Sequence, residues 1–165
     1  MKFLSYIILV LSILGCSRST IVVSNKPLPV ISLETKEKTG ISLFTFNNYT
    51  DTPRAGKRAT NIVEGILLAK NYRLDTHFNK NSYSLKEAQK LAQKDGNNHF
   101  MIGGISEWRY KTGIDGEPAV SIQITLYNTQ TMDVNWSATG SDSDWGNASI
   151  GTTAQDLILE MMSSD

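Results

Sequence analysis

The chain contains one cysteine, Cys16, and the residues before it limit which part of the chain is available to fold. The basic residue Lys2 is followed by an apolar run over residues 3–14 and then by the small residue Gly15. This order is typical of a secretory signal peptide that is cut just before the cysteine. A cysteine in this place is the pattern of a lipoprotein signal. The sequence therefore predicts that residues 1–15 are removed and that Cys16 carries a covalent lipid.

The predicted anchor is a lipid and not a helix. The apolar run is shorter than the roughly 20 residues that a membrane-spanning helix needs. Stable attachment takes two or more acyl chains, and a triacylated Cys16 meets this condition. By resemblance to lipoprotein families, in which Asp after the cysteine retains the protein at the inner membrane, Ser17 favours the outer membrane. The alternative is an ordinary signal peptide with an incidental cysteine.

Charge and cysteine content narrow the class of partner and the source of stability. The chain has sixteen basic and sixteen acidic residues, and this balance gives no support for a nucleic-acid partner. Since the only cysteine is predicted to be acylated, no disulfide framework is expected. The stability of the fold must then come from packing, with or without assembly.

Beyond the cysteine, composition divides the chain into a tether and one domain. Residues 16–39 contain Pro27, Pro29 and a charged stretch over residues 34–38, with little apolar periodicity. This composition is typical of a linker. Residues 40–165 have a normal length for a single core. We expect a lipidated tether over residues 16–39 and a single domain over residues 40–165.

Hydrophobic periodicity predicts five strands and three helices in this domain. In the clearest strand, residues 120–127, apolar residues alternate with polar ones, as in an antiparallel strand with one wet face. The other strands are predicted at 41–46, 72–77, 99–110 and 134–140, and the helices at 52–70, at 84–95 and from about residue 150. The expected fold is α+β (mixed α/β): one domain with a mixed sheet of about five strands and three helices, in the order βαβαβββα.

Local motifs set the ends of the predicted helices. Thr52 and Pro53 suit the cap and the first position of the first helix. Ser84 and Glu87 form a capping box at the second helix, and Gly96 suits the left-handed residue at its end. A polar loop is predicted over residues 141–149.

No sequence motif brings catalytic residues together. His77 and His99 lie in different predicted strands, and neither has a nearby nucleophile or orienting carboxylate in the sequence. The acidic pair Asp115 and Glu117 lies in a predicted turn, where Asp-Gly is a common dipeptide. We expect that the chain is not an enzyme.

A calcium loop is suggested by the acidic segment that begins at Asp142 and includes Asp144. Such a loop needs a bidentate Glu at its twelfth position, and counting from Asp142 places Thr153 there. We therefore expect no metal site, and no cofactor apart from the lipid on Cys16.

Three large apolar residues lie outside the predicted core. Leu68 and Leu159 fall opposite the core stripes of the first and last predicted helices, and Trp145 lies in the polar loop. We interpret Leu68 and Leu159 as candidate subunit contacts, and Trp145 as a candidate contact to the membrane or a partner. The alternatives are that Trp145 folds back over the core and that the leucines are ordinary exposed residues.

Several segments together resemble one family of bacterial envelope proteins. They are FNNYTDTPRAG at 46–56, EGILLAK at 64–70, GISEWRYKTGIDGEPAV at 104–120, WSATG at 136–140 and WG at 145–146. The set resembles the PelC family, the outer-membrane lipoproteins of the Pel exopolysaccharide secretion system. The resemblance spans nearly the whole domain. That family belongs to a wider group that shares a fold with the curli secretion lipoprotein CsgG and the peptidoglycan-synthase activator LpoB.

The resemblance implies a homo-oligomer, a dodecameric ring anchored by lipid to the inner leaflet of the outer membrane and facing the periplasm. It also implies an outer-membrane β-barrel partner, PelB, and a cationic exopolysaccharide that the ring guides toward it. A surface lined with one sign of charge concentrates the opposite charge. From loop position and charge, and not from a family motif, we select Asp115, Glu117, Asp142 and Asp144 as the candidate acidic lining.

Two other functions within the same fold group are alternatives. A CsgG-like secretion pore needs inserted membrane-spanning strands of about 9–11 residues, and the sequence offers no such pair between its predicted elements. An LpoB-like activator needs a tether that crosses the peptidoglycan, and residues 16–39 reach roughly 80 Å only at full extension. The sequence favours a non-enzymatic component of exopolysaccharide export over both.

Overall fold

A mixed sheet with helices on both faces organises the described part of the chain. The computed structural model describes residues 19–25, 28, 40–110, 116–144 and 148–163. Among these residues are three helices, α1 (Ala55–Ala69), α2 (Leu85–Asp95) and α3 (Ile150–Ser163), and seven strands: β1 (Ser19–Ser24), β2 (Ile41–Phe44), β3 (Asn47–Asn48), β4 (Leu74–His77), β5 (His99–Tyr110), β6 (Pro118–Asn128) and β7 (Val134–Ser143). None of the described helices is long and apolar enough to cross a membrane.

The sheet has a parallel part and an antiparallel part, which meet at β5. Its strand order is β1-β7-β6-β5-β2-β4, and the two-residue strand β3 also pairs with β5. Strand β2 runs parallel to β4 and β5, whereas β5, β6, β7 and β1 pair antiparallel in turn. The predicted α+β class, mixed sheet and three helices are confirmed. The described residues form two more strands than predicted, β1 and β3.

Alternation along the strands divides the apolar residues between two cores. Leu43 and Met101 belong to the larger core, which α1 and α3 cover, whereas their neighbours Phe44 and Phe100 belong to a smaller core with residues of α2. Because successive strand residues point to opposite faces, α2 lies on the face of the sheet away from α1 and α3. It contacts β2 and β5, and the same face of β6 and β7 stays open.

Strand β1 corrects the prediction of a tether. All six residues of β1 pair with β7, from Ser19 opposite Ser143 to Ser24 opposite Ala138, although composition predicts a linker here. The reason is the β-branched run at residues 21–23, which favours a strand: Val22 packs against the larger core, and the residues on either side of it face outward. The linker prediction is therefore wrong for β1.

The start of α1 also differs from the prediction. Its N-cap is Arg54, with a φ of 62°, and no side chain caps the helix. The hydroxyl of Thr52 donates instead to the backbone carbonyl of Trp108, which fixes the loop to β5. Thr52 and Pro53 therefore precede the helix and do not begin it.

The ends of α2 agree with the prediction from local motifs. The Ser84 side chain accepts a hydrogen bond from the backbone N–H of Glu87 at 3.3 Å. The helix ends at Gly96, whose φ of 75° is left-handed. Local hydrogen-bonding chemistry was sufficient here because both motifs act within one turn of the helix.

Two glycines of α1 have opposite surroundings, and they provide a test of the packing. A Cβ at Gly56 would lie 2.0 Å from the carbonyl oxygen of Phe46, whereas a Cβ at Gly65 would meet nothing within 4 Å. We predict that Gly56→Ala destabilises the fold severely, because backbone must move. In the isolated subunit, Gly65→Ala should raise the free energy of unfolding by about 0.5–1 kcal/mol, because alanine favours a helix. Urea unfolding followed by circular dichroism measures both, and equal stability of the two variants would contradict this packing.

His99 gives the fold a dependence on pH. It is partly buried at the start of β5, its Nδ1 atom is buried without a hydrogen-bond partner, and burial lowers its pKa. As the pH falls through the ordinary histidine range near about 6.5, the unfolded chain binds a proton that the folded chain resists, so stability falls. Above that range His99 contributes no such loss.

We predict that His99→Asn reduces this loss of stability. The measurement is the free energy of unfolding in urea at about pH 7.5 and about pH 5.8, at one fixed protein concentration, for both chains. The unmodified chain should lose more stability between the two pH values than the variant does. The same loss in both chains would exclude His99 as its source.

Candidate functional site

Two of the four predicted acidic residues lie together at one end of the sheet. Glu117 comes directly before β6, and Asp144 comes directly after β7. The backbone N–H of Asp144 donates to the carbonyl of Pro118 at 3.3 Å, which brings the two segments side by side. Both carboxylates are partly exposed, and both make further interactions within the protein. Asp115 lies outside the described residues.

Asp142 is not in a loop, contrary to the prediction. It lies within β7, opposite Val120 of β6 and Thr20 of β1, and only 3% of it is exposed. Its carboxylate accepts a hydrogen bond from the Thr20 hydroxyl at 2.9 Å. The prediction failed because β1, which extends β7 at its outer edge, was assigned to the tether. Asp142 therefore links two strands and belongs to no exposed acidic surface.

The two histidines have different surroundings, and neither forms a catalytic arrangement. His77 Nε2 lies 2.7 Å from a carboxylate oxygen of Asp95, a partner that the sequence did not reveal. The Ser42 hydroxyl donates to the same oxygen at 2.6 Å, and Ser42 is fully buried. The Ser42 hydroxyl therefore gives its proton to the carboxylate and not to the imidazole. The cluster fixes α2 to the edge of the sheet.

A groove of about 450 Å³ opens on the uncovered face of the sheet, where β3, β5, β6 and β7 meet. A β-bulge between Ile105 and Glu107 changes the register of β5 against β6 at this point. The groove combines an exposed tyrosine, three serine hydroxyls, two carboxylates and a guanidinium, which belong to Tyr49, Ser106, Ser121, Ser141, Asp51, Glu107 and Arg109. Sequence reasoning missed this site, because it brings together residues from four separate segments.

The predicted subunit-contact residues lie on the side of the sheet that α1 and α3 cover. Leu68 on α1 is 53% exposed and Leu159 on α3 is 36% exposed. Leu159 lines a groove of about 420 Å³ between α1 and α3, together with Ile62, Gly65 and Ala69. Leu68 does not line this groove. Trp145 and Cys16 lie outside the described residues. Within the part of the chain that is described, no group of three or more potential ligands is placed to hold a metal ion.

Solved structures of PelC share both the fold and part of the sequence. A PelC dodecamer from Paraburkholderia phytofirmans matches with a TM-score of 0.73 and 29% identity, over 88% of this chain and 96% of that chain. A dodecamer of a point variant of the same protein matches with a TM-score of 0.73 and 28% identity, over the same shares of both chains.

One further structure shares the fold at lower identity. Lipoprotein GNA1162 from Neisseria meningitidis matches with a TM-score of 0.56 and 15% identity, over 73% of this chain and 93% of that chain. No protein-family model and no curated protein matches the chain. The fold, the identity with PelC over most of both chains and the segments that resemble the PelC family together identify this chain as PelC-like.

Proposed function

We propose that the chain is a lipid-anchored periplasmic component of a Pel-type exopolysaccharide export apparatus. It assembles into a ring of identical subunits, twelve by analogy, under the outer membrane, and it guides a cationic polymer toward a PelB-like barrel. The observation that carries this proposal is the likeness to PelC, whose solved structures are dodecamers. Because the likeness covers 96% of that chain, it supports a comparable assembly of this one.

The position of β1 supports a definite orientation at the membrane. Two residues separate Cys16 from β1, a span of roughly 10 Å at full extension. A lipid on Cys16 thus holds the start of β1 near the bilayer, and Ser19 pairs there with Ser143. Trp145 follows two residues later in the sequence, and a tryptophan is a residue that favours the membrane interface. In this proposal the Ser143 end of the sheet faces the outer membrane.

The two carboxylates at the same end are the proposed acidic surface. Glu117 and Asp144 flank β6 and β7 where these strands end, and Asp115 lies two residues before Glu117 in the sequence. When these negative charges repeat around a ring, they concentrate a cationic polymer at the centre of the ring. Asp142 has no part in this surface, because it is buried against Thr20.

The same geometry weighs against the two alternatives. An LpoB-like activator requires a long free tether between lipid and domain, and β1 leaves only two residues before the sheet. A CsgG-like pore requires strands that insert into the membrane. The long strands β5, β6 and β7 are instead paired to one another in the core sheet.

The groove between α1 and α3 is the proposed contact between copies. Gly65 lies in the middle of α1, where glycine costs roughly 1 kcal/mol relative to alanine, and none of the described residues comes within 4 Å of a Cβ built there. A neighbouring subunit that approaches the helix closely would use that space. Leu159 adds exposed apolar surface beside it.

We predict that Leu159→Asp lowers the mass of the assembly. The measurement is light scattering of the full chain in detergent micelles, with the mass of the micelle subtracted. The matched control is Leu85→Asp, because Leu85 is 38% exposed on α2, on the other side of the sheet. The control should keep the mass of the unmodified ring. An unchanged mass for Leu159→Asp would remove this groove from the contact, and a monomeric unmodified chain would contradict the ring itself.

We predict that Glu117→Gln combined with Asp144→Asn weakens export without unfolding the domain. In cells that secrete the polymer, the amount outside the cell should fall. Binding of a cationic glucosamine oligomer to the purified chain should weaken too, most clearly at low salt, because screening acts over about 8 Å at physiological ionic strength. The control combines Asp133→Asn with Glu160→Gln, which removes two exposed charges elsewhere. Equal export by both double variants would exclude the proposed acidic surface.

A further inference from the structure

Tyr49 forms an aromatic platform on the open face of the sheet. Its backbone N–H donates to the carbonyl of Ile105 at 2.9 Å, and its hydroxyl accepts a hydrogen bond from Asn47 Nδ2 at 3.1 Å. The ring lies over Gly104, where a Cβ would come within 2.9 Å of it. These contacts place the ring against the sheet, and Tyr49 is nevertheless 71% exposed. A large apolar ring that is fixed in place and left uncovered is available to a ligand.

Three hydroxyl groups form a row across the strands beside this platform. Ser106 and Ser141 each donate to the hydroxyl oxygen of Ser121, at 3.0 Å and 3.1 Å. A hydroxyl oxygen has two lone pairs and one proton, so the Ser121 proton is left to be donated outward. The outer two hydroxyls keep lone pairs for incoming donors. The row therefore both donates and accepts, which suits a ligand that carries hydroxyl groups of its own.

The bulge in β5 adds charged groups to the same groove. Arg109 donates from Nε and Nη2 to a single oxygen of Glu107, at 3.0 Å and 2.9 Å. The other Glu107 oxygen remains for a ligand hydroxyl or ammonium. Asp51 lines the groove with its carboxylate exposed. With two carboxylates and one guanidinium that is already paired, the groove favours a neutral or positively charged ligand over an anion.

These groups narrow the class of ligand. An apolar molecule would leave the Ser121 proton without an acceptor and would cover the outer hydroxyls, at a cost for each polar group it covers. A phosphate would face Asp51 and Glu107. A sugar ring has one face of C–H groups, which packs on an aromatic ring, and a rim of hydroxyls that both donate and accept. We propose that this groove binds sugar units of a saccharide chain that carries amino groups, with Tyr49 under the ring and Ser121 at its hydroxyls.

This site deepens the proposed function, on which it rests for the presence of a polymer in the same compartment. The groove volume of about 450 Å³ lies in the range of roughly 300–1,000 Å³ that is usual for small-molecule sites. Because the groove is open along the sheet and has no lid among the described residues, a long chain can cross it without an end having to enter. The site is separate from the carboxylates at Glu117 and Asp144, although β5 and β6 lead from one to the other.

The experiment is ligand-observed saturation-transfer NMR on the full chain in detergent micelles. Three probes are compared: the tetrasaccharide of glucosamine, the tetrasaccharide of N-acetylglucosamine and the polyamine spermine, which has positive charge without sugar rings. Tyr49→Ala should weaken binding of both tetrasaccharides by about threefold to tenfold, the scale of an aromatic contact. Tyr49→Phe should bind both tetrasaccharides more tightly than Tyr49→Ala does, because it keeps the ring and loses only the hydrogen bond from Asn47. Ser121→Ala should weaken both tetrasaccharides as well.

Three results would overturn this inference. They are the absence of binding of either tetrasaccharide to the unmodified chain, binding that Tyr49→Ala leaves unchanged, and displacement of the glucosamine tetrasaccharide by spermine at equal charge concentration. Light scattering on the same samples separates this inference from the proposed function. A ring that binds no saccharide contradicts the site alone, and a monomer that binds saccharide through Tyr49 contradicts the ring alone.

Discussion

The pairing of β5 on both of its edges is the interaction on which the rest of the structure depends. One edge binds β2 and β3 in parallel, and the other binds β6 antiparallel over nearly the whole length of the strand. Met101 and Phe100 point from β5 into different cores. The parallel part of a sheet is normally buried on both faces, whereas an antiparallel part tolerates one wet face. The helix α2 therefore covers this face beside β2 and β5, and the face left open on β6 and β7 carries the groove beside Tyr49.

Strand β1 joins the segment next to the predicted lipid anchor to this sheet. Its six paired residues are part of the sheet, so in the proposed function a lipid on Cys16 orients the domain as well as anchoring it. A flexible tether would let the sheet turn freely beneath the membrane. A strand that begins three residues after the lipid allows much less rotation. Asp142 takes part in this coupling, because its bond to Thr20 stabilises the outermost pair of strands.

The sequence was sufficient for features that depend on near neighbours along the chain. The alternation at Val120, Ile122 and Ile124 predicted β6 and its buried face correctly, and the Ser84 cap formed as expected. Both patterns repeat within one element, where period and hydrogen bonding are local. The number of strands was less predictable, because β3 has only two residues and shows no alternation.

Features that depend on distant pairing were not available from the sequence. Asp142 looked like a loop residue because its partner Thr20 lies 122 positions away. Tyr49 looked like ordinary loop chemistry, since only the pairing of β3 with β5 and the absence of a side chain at Gly104 bring its ring over the sheet. Composition around Asn47 and Tyr49 is typical of a turn, and it gives no sign of an exposed, immobilised aromatic ring. The acidic pair Glu117 and Asp144 likewise becomes a pair only through the β6–β7 register.

In the proposed ring, open geometry and repetition would together let the grooves hold a polymer and still release it. A shallow groove excludes little water, so each proposed contact with a sugar unit would be weak and short-lived. In a ring, many identical grooves would contact one polymer. Once one groove is bound, the next lies at a high effective concentration, which compensates for the low affinity of each groove. A deep pocket on each subunit would bind the polymer more tightly but would hold it in place. A conducting pore must avoid such tight binding. The fixed ring of Tyr49 contributes to this balance, because it loses little conformational freedom on binding. Weak sites on a rigid sheet, multiplied by assembly, therefore suit passage of a saccharide better than capture of it.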